Sequence, residues 1–277
     1  MKKENKLLNL KNILKEMECV LVAFSGGVDS TFLLKVSSEV LKESVLAVTA
    51  ISPTYPRYEY EEAVKIAGEL NVKHKTIDSR ELENPEFVKN TSERCFHCKT
   101  ELFSELVKIA QAEGFKFVLD ATNADDLKDY RPGREAAKKL GIKSPLVDTG
   151  FTKQEIRDLS KKLGLRTWNK PSFACLASRF PYGTQITAEN LEMVYKGEMF
   201  LKKHGFHQYR VRHHAPIVRL ELDTEGFAKL QNQEICEKIV KFFKKIGYLY
   251  ITVDIQGYRT GSLNETLNLK QIVPPHK

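Results

Sequence analysis

The stretch Val20-Leu21-Val22-Ala23-Phe24-Ser25-Gly26-Gly27-Val28-Asp29-Ser30 joins an unbroken apolar run to a double glycine and an Asp-Ser pair. Five apolar residues in succession predict a strand buried on both faces. Thr31 to Leu41 carries Leu33, Leu34, Val36 and Val40 near helical spacing, which predicts a helix directly after the turn. Outward from this unit the same alternation continues. Strands are expected at Val45–Ile51, Lys73–Ile77, Phe115–Ala121 and Ser144–Val147. Helices are expected at Tyr58–Leu70, Phe96–Ala112, Gly133–Leu140 and Lys153–Leu163. Strands that alternate with helices imply an α/β fold with a doubly wound parallel sheet, whose sites lie at the carboxyl ends of the strands.

From Trp168 the texture changes. Residues 169–187 hold two prolines and one glycine without a clear period, and are read as an ordered linker carrying Cys175. Beyond it a helix (Glu189–His204), two strands (Gln208–His213, Ile217–Leu222), a helix (Glu225–Ile246) and a strand (Tyr248–Ile255) are expected. The domain plan is therefore 1–168, a linker 169–187, and a second, smaller α/β domain over 188–277. A module of that size depends on docking or self-association, so a homo-oligomer is expected. The tail after Gly261 is polar and is expected to lie over the surface.

The composition suits a globular chain: 277 residues, 42% hydrophobic and 29% charged. It excludes a mainly disordered or fibrous protein. No apolar run approaches the roughly 20 residues needed to span a bilayer. Leu7 to Leu14 is interrupted by Asn9, Lys11 and Asn12, so a secretory h-region is not expected and a cytoplasmic location is. Forty-four Lys and Arg against 36 Asp and Glu give a net charge of +8. That excess favours anionic partners without choosing among nucleotides, phosphorylated small molecules and nucleic acid.

The double glycine lets the backbone turn tightly and approach an anion, and the helix start adds free N–H groups. Ser25 and Ser30 bring hydroxyls, and Asp29 a carboxylate able to hold Mg²⁺ or its water. Neither the G-x-x-x-x-G-K-[ST] nor the G-x-G-x-x-G pattern is present. A plain strand-to-helix turn with an Asp or Ser cap is the simple alternative. Five cysteines argue against a disulfide framework. Cys95-Phe96-His97-Cys98 by itself fits a redox pair, half a zinc site or chance, while Cys19 and Cys236 read as small buried hydrophobes. Arg210 and Arg212 alternate on a strand, so both guanidinium forks share one face, either solvated or suited to a phosphate.

The Ser25–Ser30 string resembles the pyrophosphate loop of the ATP pyrophosphatase group, with its adenine nucleotide α-hydrolase-like fold. These enzymes split ATP into AMP and pyrophosphate to adenylylate a carbonyl compound. Asp120-Ala121-Thr122-Asn123-Ala124-Asp125-Asp126 is similar to that group as well. Asp129-Tyr130-Arg131-Pro132-Gly133, Trp168-Asn169-Lys170, Cys175 to Gly183 and Arg210-Val211-Arg212 together resemble the LarE-type sulfur transferases. That family makes the thiocarboxylates of the nickel-pincer nucleotide cofactor.

The resemblance implies ATP and Mg²⁺ at Ser25, Gly26, Gly27, Asp29, Ser30 and Asn123. It also implies a pyridinium mononucleotide whose phosphate meets Arg179, Arg210 and Arg212, with Glu198 and Glu221 as ligands or as a surface salt bridge. Simpler members use one cysteine, at the position of Cys175, as a sacrificial sulfur donor. A second form holds a 4Fe–4S cluster on three cysteines, which Cys95, Cys98 and Cys175 match. Three thiolates suit such a cluster by softness and leave one iron open for sulfide. Zinc would need a fourth ligand such as His97 or His74. Catalytic roles fall to Asp29 and Cys175. Two other readings stay open: a tRNA thiolase of the same group, and a non-catalytic Fe–S or zinc nucleotide sensor. No further C-x-x-C pair and no evident RNA-binding module favour nucleic acid, and no feature favours a membrane.

Overall fold

Successive residues of the first strands point into two different cores, and this alternation builds the first sheet. The computed structural model describes residues 3–128, 132–171, 174–259 and 261–265. The strands are β1 (Val20–Ala23), β2 (Val45–Ile51), β3 (Lys73–Asp78), β4 (Phe117–Leu119), β5 (Tyr209–His214), β6 (Ile217–Leu222) and β7 (Tyr250–Val253). The helices before residue 165 are α1 (Lys3–Met17), α2 (Val28–Leu41), α3 (Arg57–Glu69), α4 (Pro85–Val88), α5 (Arg94–Glu113), α6 (Gly133–Lys139), α7 (Pro145–Asp148) and α8 (Lys153–Lys162). After it come α9 (Ala188–Lys203), α10 (Thr224–Lys229) and α11 (Gln233–Lys245).

The chain divides into two compact units, Met1–Phe87 with Ser92–Ala174, and Val88–Thr91 with Cys175–Lys277. In the first unit the strand order is β3-β2-β1-β4 and every pairing is parallel. Val20, Val22, Val45 and Ala47 join α1, α2, α3 and α8 in one core. Leu21, Leu46 and Val48 join α5 and α6 in the other. Helices thus cover both faces, as a doubly wound parallel sheet requires. Between β1 and β4 the order reverses, and the Ser25–Ser30 loop leaves β1 at that switch point.

Where a strand was expected over residues 144–147, Ser144 takes the N-cap position of the helix α7 (Pro145–Asp148) instead. Pro145 has no N–H for a sheet ladder and is suited to the first turn of a helix. Pairing there is reduced to one parallel bridge, Leu119 to Lys143. The strand expected over 115–121 is only three residues long. The run broken by Asn9, Lys11 and Asn12 is part of α1, with Leu10 and Leu14 fully buried.

The second unit orders its strands β5-β6-β7, with β5 and β6 antiparallel and β6 and β7 parallel. The expected helix over 225–246 is two helices. Asn232 interrupts it because its side chain caps α11 by accepting the Ile235 amide. Gly197 lets α9 close on α11 and β5: a Cβ there would meet Phe243 at 2.8 Å and Val211 at 3.2 Å. Val88–Thr91 belongs to this unit because buried Asn90 donates to the carbonyls of Pro181 (2.8 Å) and Thr184 (2.9 Å). Among the described residues no helix is long and apolar enough to cross a membrane. Asp129, Tyr130, Arg131 and the tail from residue 266 lie outside the described residues.

Candidate functional site

The loop after β1 is organised by its own serines. Ser25 N–H donates to Ser30 Oγ at 3.3 Å, and Ser30 Oγ donates to the Gly27 carbonyl at 3.3 Å. A hydroxyl has one proton, so Ser25 Oγ is the donor in the 3.1 Å contact between the two serines. The helix start is less open than the sequence implied: Ser30 is 4% exposed and its hydroxyl is engaged inside the loop. Gly26 takes φ +60°, and a Cβ there would lie 3.0 Å from Ala63 on α3. The tight turn and the neighbouring helix both exclude a larger residue.

Asp29, in the first turn of α2, accepts from Lys153 Nζ at 2.6 Å and from Asn123 Nδ2 at 3.4 Å. Burial pushes the Asp29 carboxyl above its ordinary value, and the Lys153 ammonium only partly offsets that. Its Oδ1 is buried with no hydrogen-bond partner among the described residues. An orphaned carboxylate oxygen beside an anion loop is a donor that fits Mg²⁺. Asn123 is itself fixed, since its Oδ1 accepts the amides of Asp125 (2.9 Å) and Asp126 (3.2 Å). Asp125 in turn accepts the Lys153 amide at 2.9 Å, which seats the start of α8 beside Asp29.

Cys95 and Cys98 lie one turn apart in the first turns of α5, so both thiols share a helix face. Cys95 is exposed and Cys98 half-buried. Cys98 Sγ donates to Glu81 Oε2 at 3.2 Å, and the buried Glu81 also accepts from Thr54 and Ser79. Cys175 is exposed and belongs to the second unit, where its carbonyl accepts from Arg179 at 3.2 Å. Thiols are soft donors that suit iron and sulfide better than magnesium or calcium, and Cys95 and Cys98 present two of them on one helix face. Among the described residues no three His, Cys, Asp or Glu side chains form a metal-holding group. His74 is engaged elsewhere, with Nε2 2.8 Å from Thr49 Oγ1. Cys19 and Cys236, expected as buried, are half-buried and bonded to backbone groups.

In the second unit the three arginines differ. Arg179 is fully buried and forms a two-pronged ion pair with Glu198 at 2.8 and 3.0 Å. Arg212 forms another with fully buried Glu221, both contacts at 2.9 Å, and also donates to Ser178 O and Ser262 Oγ. Both acids, for which a surface salt bridge was one expectation, are therefore interior. Arg210 shares the sheet face of Arg212 but stacks its guanidinium 4.9 Å over Tyr258 and donates to that phenol at 3.2 Å. Burial, and next the nearby Arg179, lower its affinity for its proton. Of the three, this half-buried cation is the most open to an anionic ligand.

Thr49, Tyr55, Glu59 and Lys153 around the loop, and Glu81 beside Cys98, carry no role in the sequence reading, and Lys170 enters it only within the Trp168-Asn169-Lys170 stretch. A legible signal existed only for the start of α8, where Thr152 and Glu155 spell a capping box.

The family model for NAD synthase matches residues 4–103, which include the loop and its first flanking strands. An uncharacterized protein of Synechocystis sp. is 41% identical over 95% of this chain and 98% of its own. The pyridinium-3,5-bisthiocarboxylic acid mononucleotide synthase of Lactiplantibacillus plantarum is 36% identical over 94% of each chain. The tRNA-specific 2-thiouridylase MnmA of Halothermothrix orenii is 25% identical over 79% of this chain and 76% of its own. A likeness to the synthase that runs through both compact units, with the Ser-Gly-Gly-x-Asp-Ser loop at the sheet's switch point, places the chain in the LarE-type family of pyrophosphate-loop proteins.

Proposed function

We propose that the protein is a cytoplasmic ATP-dependent sulfur transferase. It would convert a carboxylate of a pyridinium dicarboxylate mononucleotide to a thiocarboxylate for the nickel-pincer nucleotide cofactor. The observation that carries this reading is the glycine loop at the end of β1, in a chain similar to the mononucleotide synthase along 94% of its length. A carboxylate oxygen is a poor leaving group and AMP a good one, so activation must precede sulfur entry. The substrate carboxylate attacks the α-phosphorus of Mg-ATP and pyrophosphate departs into the Ser25–Ser30 loop. Asp29 would hold the Mg²⁺, and Lys153 and Asn123 orient the Asp29 carboxylate. Sulfide then adds to the acyl carbon and AMP leaves with the former carboxylate oxygen. Arg210, backed by Arg179 and Arg212, meets the substrate phosphate. Cys95, Cys98 and Cys175 would hold a 4Fe–4S cluster, which would supply a binding place for sulfide.

The test is anaerobic turnover with ATP, sulfide and the mononucleotide, with iron content and intact mass measured before and after. The reading requires AMP and thiocarboxylate in step, about four iron atoms per chain, and loss of iron in Cys95→Ala, Cys98→Ala and Cys175→Ala. A wild-type protein lighter by one sulfur after a single turnover would replace the cluster by sacrificial Cys175. Turnover on tRNA but not on the mononucleotide would overturn the substrate assignment. A homo-oligomeric state belongs to the same proposal, and sedimentation at working concentration would test it.

A further inference from the structure

Three consecutive carbonyl groups of the glycine loop are held by three side-chain donors from separate parts of the sequence. Thr49 Oγ1 donates to Phe24 O at 2.8 Å, Tyr55 Oη to Ser25 O at 2.7 Å, and Lys170 Nζ to Gly26 O at 3.1 Å. A trans peptide is planar, with its C=O and the following N–H on opposite sides. Each contact therefore also aims the next amide, those of Ser25, Gly26 and Gly27. The Ser25 amide goes to Ser30 Oγ. The Gly26 and Gly27 amides have no acceptor among the described residues. The Gly27 carbonyl is taken by the Thr31 amide (2.9 Å) and Ser30 Oγ. From Phe24 to Gly27 every carbonyl thus faces a protein donor, which leaves two adjacent N–H groups turned the other way.

The donors are themselves held. Lys170 pairs with buried Glu59 at 2.6 Å, and Arg157 grips the Lys170 carbonyl at 2.8 Å. Thr49 gives its proton to Phe24, so it accepts from His74 Nε2–H. Burial and the nearby Glu59 push the Tyr55 phenol up, so it keeps its proton. On the other side Ala63 blocks retreat of Gly26.

We propose that Thr49, Tyr55 and Lys170 are positioning residues that fix the Gly26 and Gly27 amides as a preorganised anion nest, selecting the pyrophosphate part of ATP. This rests on the phosphate-loop reading above. None of the three need touch the nucleotide; they act on it through the backbone.

The experiment titrates full-length wild type, Tyr55→Phe, Lys170→Met and Lys170→Arg with magnesium pyrophosphate and, separately, with AMP, alongside thermal unfolding. Lys170→Met leaves Glu59 buried without its cation, so Lys170→Met/Glu59→Gln accompanies it. The expected result is a pyrophosphate Kd raised about tenfold in Tyr55→Phe and in both Lys170→Met variants, as loss of one strong hydrogen bond implies. AMP affinity should stay within about twofold, and Lys170→Arg should restore pyrophosphate binding. Parallel loss of both ligands, or an unchanged pyrophosphate Kd in folded variants, overturns the proposal. A wild type that binds neither ligand sinks the phosphate-loop reading itself.

Discussion

At Asp29 stability and function oppose each other. Its carboxylate is half-buried, with Oδ1 buried and unpartnered among the described residues, and its proton affinity is raised despite the Lys153 ion pair. Asp29→Asn removes the desolvation cost while keeping the shape, so the melting temperature should move by only a few degrees. ATP-to-AMP turnover should fall at least about a hundredfold, because the cation site loses its charge. A variant that keeps turnover would remove Asp29 from the machinery. Ser30→Ala differs, because its hydroxyl joins Ser25 to Gly27 inside the loop. It should lower unfolding free energy by about 1–3 kcal/mol as well as weaken ATP use. Among the thiols, exposed Cys95 and Cys175 should alkylate before Cys98, whose sulfur is half-buried against Glu81. Peptide mass mapping after brief iodoacetamide treatment of the iron-free protein checks the order, and Cys98 reacting first would contradict it.

Among the elements α8 has the clearest double duty. Thr152 and Glu155 form a reciprocal capping box, and Glu155 also pairs with Lys6 at 2.7 Å, which ties α8 to α1. The residue after the cap is Lys153, the partner of Asp29. Thr152→Ala should therefore cost about 1 kcal/mol in a urea titration and also raise the KM for ATP. Lost stability with an unchanged KM would separate the cap from the site. The same element shows what a local pattern carries. The box and the apolar positions Ile156 and Leu159 announce a helix at this place. Its first lysine reaches a carboxylate 124 residues away, which no local pattern reports.

For the whole molecule the pH response follows from three histidines. His74, His213 and His214 are all held below the ordinary 6.5, chiefly by burial. The unfolded chain takes up protons at that pH before the native one does. Stability present above 6.5 is accordingly lost as pH falls through the lower native values. Each histidine contributes at most about 1.4 kcal/mol per pH unit. Urea midpoints should decline from pH 7.5 to 5.5, and His74→Gln should flatten that slope. An identical slope in the variant would show that His74 titrates normally.

The amino-acid sequence by itself determined the alternating strands and helices of the first unit, the glycine loop at a strand end and the family. Val45–Ile51 is found as expected, and most other elements lie within a residue or two. These features follow from burial periodicity over a few residues and from turn chemistry, both local. Two of the exceptions are also local: Pro145 converts a short apolar run to helix, and Asn232 splits a long one. Only the tertiary structure decided that Lys153 meets Asp29, that Glu81 meets Cys98, and that Asn90 joins the second unit. It likewise decided that Arg179 and Arg212 are neutralised by Glu198 and Glu221 while Arg210 is not held by a carboxylate in the same way. The loop's clamps come from residues 49, 55 and 170. Which polar side chains meet depends on strand order and helix placement, and a pattern of apolar spacing records that a side is buried but not what lies across from it.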